Sequence, residues 1–111
     1  KPWYARQHEA AAEAARAGAL LERHRARNGL RLEYWRAEDG DVVGLLLRVG
    51  EGGESVVGSL VYREGGLAPS LRGTIRAVLP PRIPWLARAR AVLALAPRWR
   101  VSGLVHVYVA P

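Results

Sequence analysis

From Leu30 to Leu79 the chain alternates apolar and polar residues with a period of two, and an alternation held that long admits few folds. Leu30, Leu32 and Tyr34 alternate with Arg31, Glu33 and Trp35. Past Glu38-Asp39-Gly40-Asp41, which reads as a turn, Val43, Leu45, Leu47 and Val49 resume the pattern. Successive strand residues point to opposite faces, so each run offers one face to a core. Residues 50 to 53 read as a second turn, and Val56 to Arg63 as a third strand with Gly58 as a bulge or close-approach point. After Glu64-Gly65-Gly66, Leu71, Gly73, Ile75, Ala77 and Leu79 face one way and Arg72, Thr74 and Arg76 the other. Short turns between neighbouring runs predict a four-stranded antiparallel meander.

On either side of the meander the period changes. Pro2 is preset for a helix start, and the Ala-dominated sequence that follows predicts one long N-terminal helix running to Arg27 and closed by Asn28-Gly29. Its alanines bury little area, so Trp3, Tyr4, Leu20 and Leu21 must hold it, while Arg23, Arg25 and Arg27 complement the dipole at its end. Pro80-Pro81 stops the fourth strand, and Pro84 opens a second helix to about Ala96 with Trp85, Leu86, Ala89, Leu93 and Ala96 inward. Trp99 to Val109 is strongly β-branched with apolar residues on both faces, which predicts a central final strand. The expected fold is therefore a single α+β domain over residues 1–111, in the order α-β-β-β-β-α-β.

Charge divides the chain more sharply than hydropathy does. Residues 1–29 hold six basic and three acidic side chains, residues 30–66 four and seven, and residues 67–111 seven and none. All seven in the last stretch are arginines: Arg72, Arg76, Arg82, Arg88, Arg90, Arg98 and Arg100. An acid-free, arginine-studded stretch predicts an electropositive surface that attracts phosphates or other anions. Arginine pairs with phosphate in bidentate fashion, and Trp85, Trp99 and Tyr108 are placed among these arginines as candidate stacking platforms for unpaired bases.

Several chemistries find no support in the residues. Cys is absent, which removes disulfides, thiol catalysis and thiolate metal sites. His8, His24 and His106 are far apart, and His8-Glu9 lacks the second His that a helical zinc site needs. Asp39 and Asp41 lack the further acids of a calcium loop, the glycine-rich turns lack the Lys-Ser/Thr of a phosphate loop, and no Ser sits in a nucleophile elbow. Glu9 on the first helix, Gly40-Asp41-Val42 on a hairpin and Val56 to Arg63 on the next strand together resemble the core of the restriction-endonuclease-like nucleases. That family holds its metal with an acid on the second strand and an acid-x-Lys on the third, where this chain has Ser59 and Val61, so the resemblance implies a core without the metal site. No cofactor or metal is expected.

The functional expectation is a non-catalytic binding module for nucleic acid or another polyanion. The alternative is an assembly subunit that self-associates or binds a protein partner, since a long Ala-rich helix leading a meander resembles the layout of pilin-like proteins and other secretion-apparatus domains. A third reading attaches the 84–96 helix to an anionic membrane surface. Apolar runs such as Val42 to Leu47 fall far short of the ~20 residues that cross a bilayer. The lack of a charged leader slightly favours the cytoplasm, and a start at Lys1 leaves an extracytoplasmic site open if an upstream segment has been removed. Abundant arginine, scarce amides and absent Cys and Met give a thermophile-like composition.

Overall fold

A computed structural model describes residues 1–64, 73–81 and 105–111. Helix α1 spans Trp3–Ala17 and is followed by strands β1 (Ala19–Arg23), β2 (Leu30–Arg36), β3 (Val42–Gly50), β4 (Gly53–Glu64), β5 (Gly73–Leu79) and β6 (Val105–Val109). The six strands form one sheet in the order β1-β2-β3-β4-β5-β6, antiparallel from β1 to β5, with β6 parallel to β5. This overturns the expected α-β-β-β-β-α-β order: the described residues make one helix and a six-stranded mixed sheet. The helix expected over 84–96 lies outside the described residues.

The first correction is at the end of α1. The helix was expected to reach Arg27, but it stops at Gly18, and Ala19–Arg23 becomes an edge strand paired with β2. A Cβ on Gly18 would lie 2.1 Å from the Arg36 carbonyl oxygen, so only glycine lets the helix end against the β2 backbone. Asn28-Gly29 is not a helix stop. With φ of 53° and 72°, the pair forms the two-residue turn between β1 and β2, closed by Arg27 N–H to the Leu30 carbonyl at 2.7 Å and the reverse bond at 3.0 Å. Positive φ at both central residues matches the right-handed twist of a tight hairpin.

The second correction concerns β6. It was expected at the centre of the sheet, and it lies at the end of the strand order, beside β5. Its exposed Tyr108 and Val109 belong to an outer strand, not to one buried on both faces.

Both faces of the sheet carry apolar side chains. On one, Tyr34, Val42, Leu60, Tyr62, Ile75, Ala77 and Leu79 form a buried cluster, with Leu32 and Val107 against it. On the other, Ala11 and Ala15 of α1 pack on Ala37, Val43, Leu45 and Leu47, flanked by Trp35 and Val56. Alanines at four-residue spacing share a helix face and let the helix axis approach closely. A bulge beside Gly58, between the Leu46–Gly58 and Leu47–Val56 pairs, restores the alternation of β4 after the turn.

Candidate polyanion-binding site

Helix α1 crosses one face of the sheet. Its C-terminal half lies on β2 and β3 through Ala11 and Ala15, its middle reaches β4, and its first turn meets β6. Over β4 the contact is polar: Ser59 is buried, and its hydroxyl lies 2.7 Å from His8 Nδ1 and accepts a 3.3 Å bond from Gln7 Nε2. A lone hydroxyl under an apolar helix is costly unless bonded, and Gln7 and His8 supply the partners. Burial pushes the His8 imidazole below its ordinary value, because the charged form loses hydration there.

At its first turn α1 presents Trp3 and Tyr4 to Tyr108. The Trp3 and Tyr108 rings are tilted with centroids 4.7 Å apart, Tyr4 stacks on Tyr108 at 6.3 Å, and Trp3 meets Tyr4 edge-on at 6.3 Å. Arg76 on β5 places its guanidinium 5.2 Å from the Trp3 ring centroid, within cation–π range. Register explains why these residues meet. Arg76 pairs with Val61 of β4 on one side and His106 of β6 on the other, and Val78 pairs with Tyr108. Since Val78 also pairs with Ser59, the residues Val61, Arg76, His106 and Tyr108 share the face on which α1 lies. The exposed Arg76 and His106 thus form a ledge beyond the first turn of the helix.

Along the same ledge Arg63 is exposed but neutralised. Its Nε and Nη2 donate to Asp41 Oδ2 at 3.1 and 2.9 Å, and the adjacent carboxylate pushes the guanidinium further toward its charged form. Asp41 is itself set by the Asp39 carboxylate, which accepts the Asp41 backbone N–H at 3.0 Å and makes the expected turn. A shallow groove of about 180 Å³ runs between this pair and the flank of α1, with Gln7, Ala10 and Ala14 along its wall.

The ion pairs sort the arginines into two groups. Glu33, almost fully buried, takes Arg23 at 2.5 Å and Arg31 at 3.2 Å; Glu54 takes Arg31, and Lys1 pairs with Glu9. Three acids of residues 30–66, Glu33, Asp41 and Glu54, are thereby paired with Arg23, Arg31 and Arg63, all from the first two-thirds of the chain. Arg76 has no carboxylate partner among the described residues, and residues 67–111 contribute no acid of their own.

Of the arginines and aromatics singled out from the sequence, Arg76 and Tyr108 are brought together. Arg72, Arg82, Arg88, Arg90, Arg98, Arg100, Trp85 and Trp99 lie outside the described residues. Trp3, Tyr4 and His106 were not anticipated as site residues. Trp3 and Tyr4 read as ordinary helix anchors, and nothing in linear spacing shows that the start of the chain meets its last strand. Among the described residues no group of three or more His, Asp or Glu is placed to hold a metal ion, and no helix is long and apolar enough to cross a membrane. Compared with known protein families, curated proteins and solved structures, the chain matches none.

Proposed function

We propose that this chain is a non-catalytic binding module for a polyanion, with nucleic acid the leading candidate and the Arg76 ledge part of its footprint. One observation carries the reading: Arg76 is exposed, held over Trp3, and unpaired with any described carboxylate, whereas Arg23, Arg31 and Arg63 are each matched to an acid. A guanidinium that no internal acid engages keeps its bidentate donors for phosphate. The six further arginines of residues 67–111, with no Asp or Glu among them, add to the positive charge of that part of the sequence.

Binding of a labelled oligonucleotide as sodium chloride is raised from about 50 mM tests this reading. The affinity should fall linearly on a log–log plot, because each phosphate neutralised releases counterions. Arg76→Ala should reduce the slope by about 0.7, the value for one contact on a single strand. Absence of binding at the low-salt end defeats the proposal.

One observation favours the second reading, an assembly subunit. β1 lies at the sheet edge, and its Leu20 and Leu21 are exposed. Leu21 falls at the irregularity between the Leu20 and Glu22 pairs, which blunts the edge against strand pairing and leaves the exposed leucine side chains as the surface for a partner. A concentration-dependent mass in light scattering, abolished by Leu21→Lys, supports self-association; a constant monomer removes it.

A further inference from the structure

We infer that the polyanion is a single-stranded nucleic acid, its bases stacked on Trp3 and Tyr108 and its backbone held by Arg76. This rests on the polyanion reading of the same site and narrows it to one class of ligand.

Two large aromatic rings are left partly in water. Trp3 is 37% exposed and Tyr108 38%, although both touch other rings and sit beside a well-packed sheet. For a ligand that is only a string of charges, such as polyphosphate, exposed rings add nothing, and arginine alone would serve. An unpaired base has an apolar π-face of its own, and stacking on Trp or Tyr removes both faces from water. The rings are also prepared for it. Trp3 is braced by Tyr4 and Tyr108, and Tyr108 by the stacked Tyr4 ring, so little side-chain freedom remains to be lost on binding.

Arg76 fits the same ligand from the other side. Its guanidinium lies 5.2 Å from the Trp3 centroid, so a phosphate bonded to it lies within one nucleotide's reach of a base on that ring. His106, abreast of Arg76 in the β5–β6 register, adds a second donor on the ledge. Alternation of charge and aromatic surface at this spacing matches a backbone with bases splayed from it.

Duplex fits less well. Reading a major groove takes a helix or ribbon whose outer face is basic. The outward residues of α1 include Glu9 and Glu13 beside Arg6 and Arg16, so its exposed face carries balanced charge.

The test compares three labelled probes at one low salt concentration by fluorescence anisotropy: oligothymidylate of about 12 nucleotides, an abasic deoxyribose-phosphate strand of equal length, and a duplex of equal length. The intact protein should bind oligothymidylate about tenfold more tightly than the abasic strand. Trp3→Leu and Tyr108→Val should each bring the two single strands toward equal affinity, by weakening oligothymidylate more than the abasic strand. Trp3→Phe should keep most of the preference, and Arg76→Ala should weaken both strands alike. Equal affinity of the intact protein for the two single strands overturns base stacking while leaving the polyanion reading intact, and needs no variant to fold. A preference for duplex over oligothymidylate also overturns it. Failure of every probe to bind defeats the polyanion reading itself.

Discussion

His8 and Ser59 meet 2.7 Å apart between helix and sheet, and the burial of the imidazole there makes His8 one group through which stability responds to acid. In the folded chain burial holds the imidazole below its ordinary value of 6.5, while in the unfolded chain it titrates normally. The unfolded state therefore binds more protons between those two values. Stability contributed by neutral His8 is full above pH 6.5 and is lost as pH falls through the depressed folded value. Thermal melting of the parent protein and His8→Gln across this window should show the parent losing more stability on acidification, with the curves converging in slope above neutrality. Parallel curves would mean that His8 is not the responsive group. Glu33 makes a second residue-scale case. A single buried carboxylate serves both Arg23 and Arg31, so Glu33→Ala leaves two guanidinium groups without it. Because Arg23 remains half exposed and water can replace the acid there, the expected loss is about 1–3 kcal/mol in denaturant unfolding, below that for a fully buried pair.

Elements in this chain are decided by contacts that local propensity does not contain. The alanine run that makes α1 continues through Ala19, yet the helix ends at Gly18, because four of the next five residues pair with β2. Gly18→Ala would drive a Cβ into the Arg36 carbonyl at 2.1 Å, so helix and strand must separate; a loss of about 3 kcal/mol is expected, the upper end for overpacking. Gly29→Ala meets only the Val49 carbonyl oxygen at an ordinary 3.7 Å and carries the penalty of a left-handed φ of 72°, about 1–2 kcal/mol. Denaturant midpoints rank the two, and a larger loss for Gly29→Ala would refute the close-approach account. The same contrast shows what was legible in the sequence. The apolar runs of residues 30–79 and the turns between them mark β2 to β5, although β3 is buried on both faces over Val42 to Leu47 and does not alternate there. Asn28-Gly29 announces a reversal of the chain either as a helix stop or as a hairpin turn, and only pairing between Arg27 and Leu30 decides which. Arg76 and Tyr108 could be nominated by residue type, whereas their meeting with Trp3 depends on a parallel β5–β6 register and on the path of α1, neither of which leaves a local trace.

At the scale of the whole molecule, a formal charge of +7 is held beside carboxylates that serve other arginines. Excess positive charge raises the free energy of any compact state by self-repulsion, and a polyanion bound as proposed would relieve that repulsion while binding only the folded form. Bound ligand should therefore stabilise the fold by mass action. At free oligothymidylate one hundredfold above the dissociation constant the gain is about 2.7 kcal/mol, which for a domain of this size raises Tm by roughly 10 °C. In about 1 M salt the Debye length shrinks to ~3 Å, the ligand is released and the shift should vanish. The melting temperature of the protein alone should not fall over the same range. Glu33 is almost fully buried within its pair and therefore weakly screened, while the repulsion among exposed arginines is screened away. Differential scanning calorimetry with and without oligonucleotide, at low and high salt, measures all four states. An oligonucleotide shift that survives high salt would place the binding energy outside electrostatics and deny the arginines their role. A protein that melts earlier in salt without ligand would show that exposed ion pairs, and not the two apolar faces of the sheet, hold the fold together.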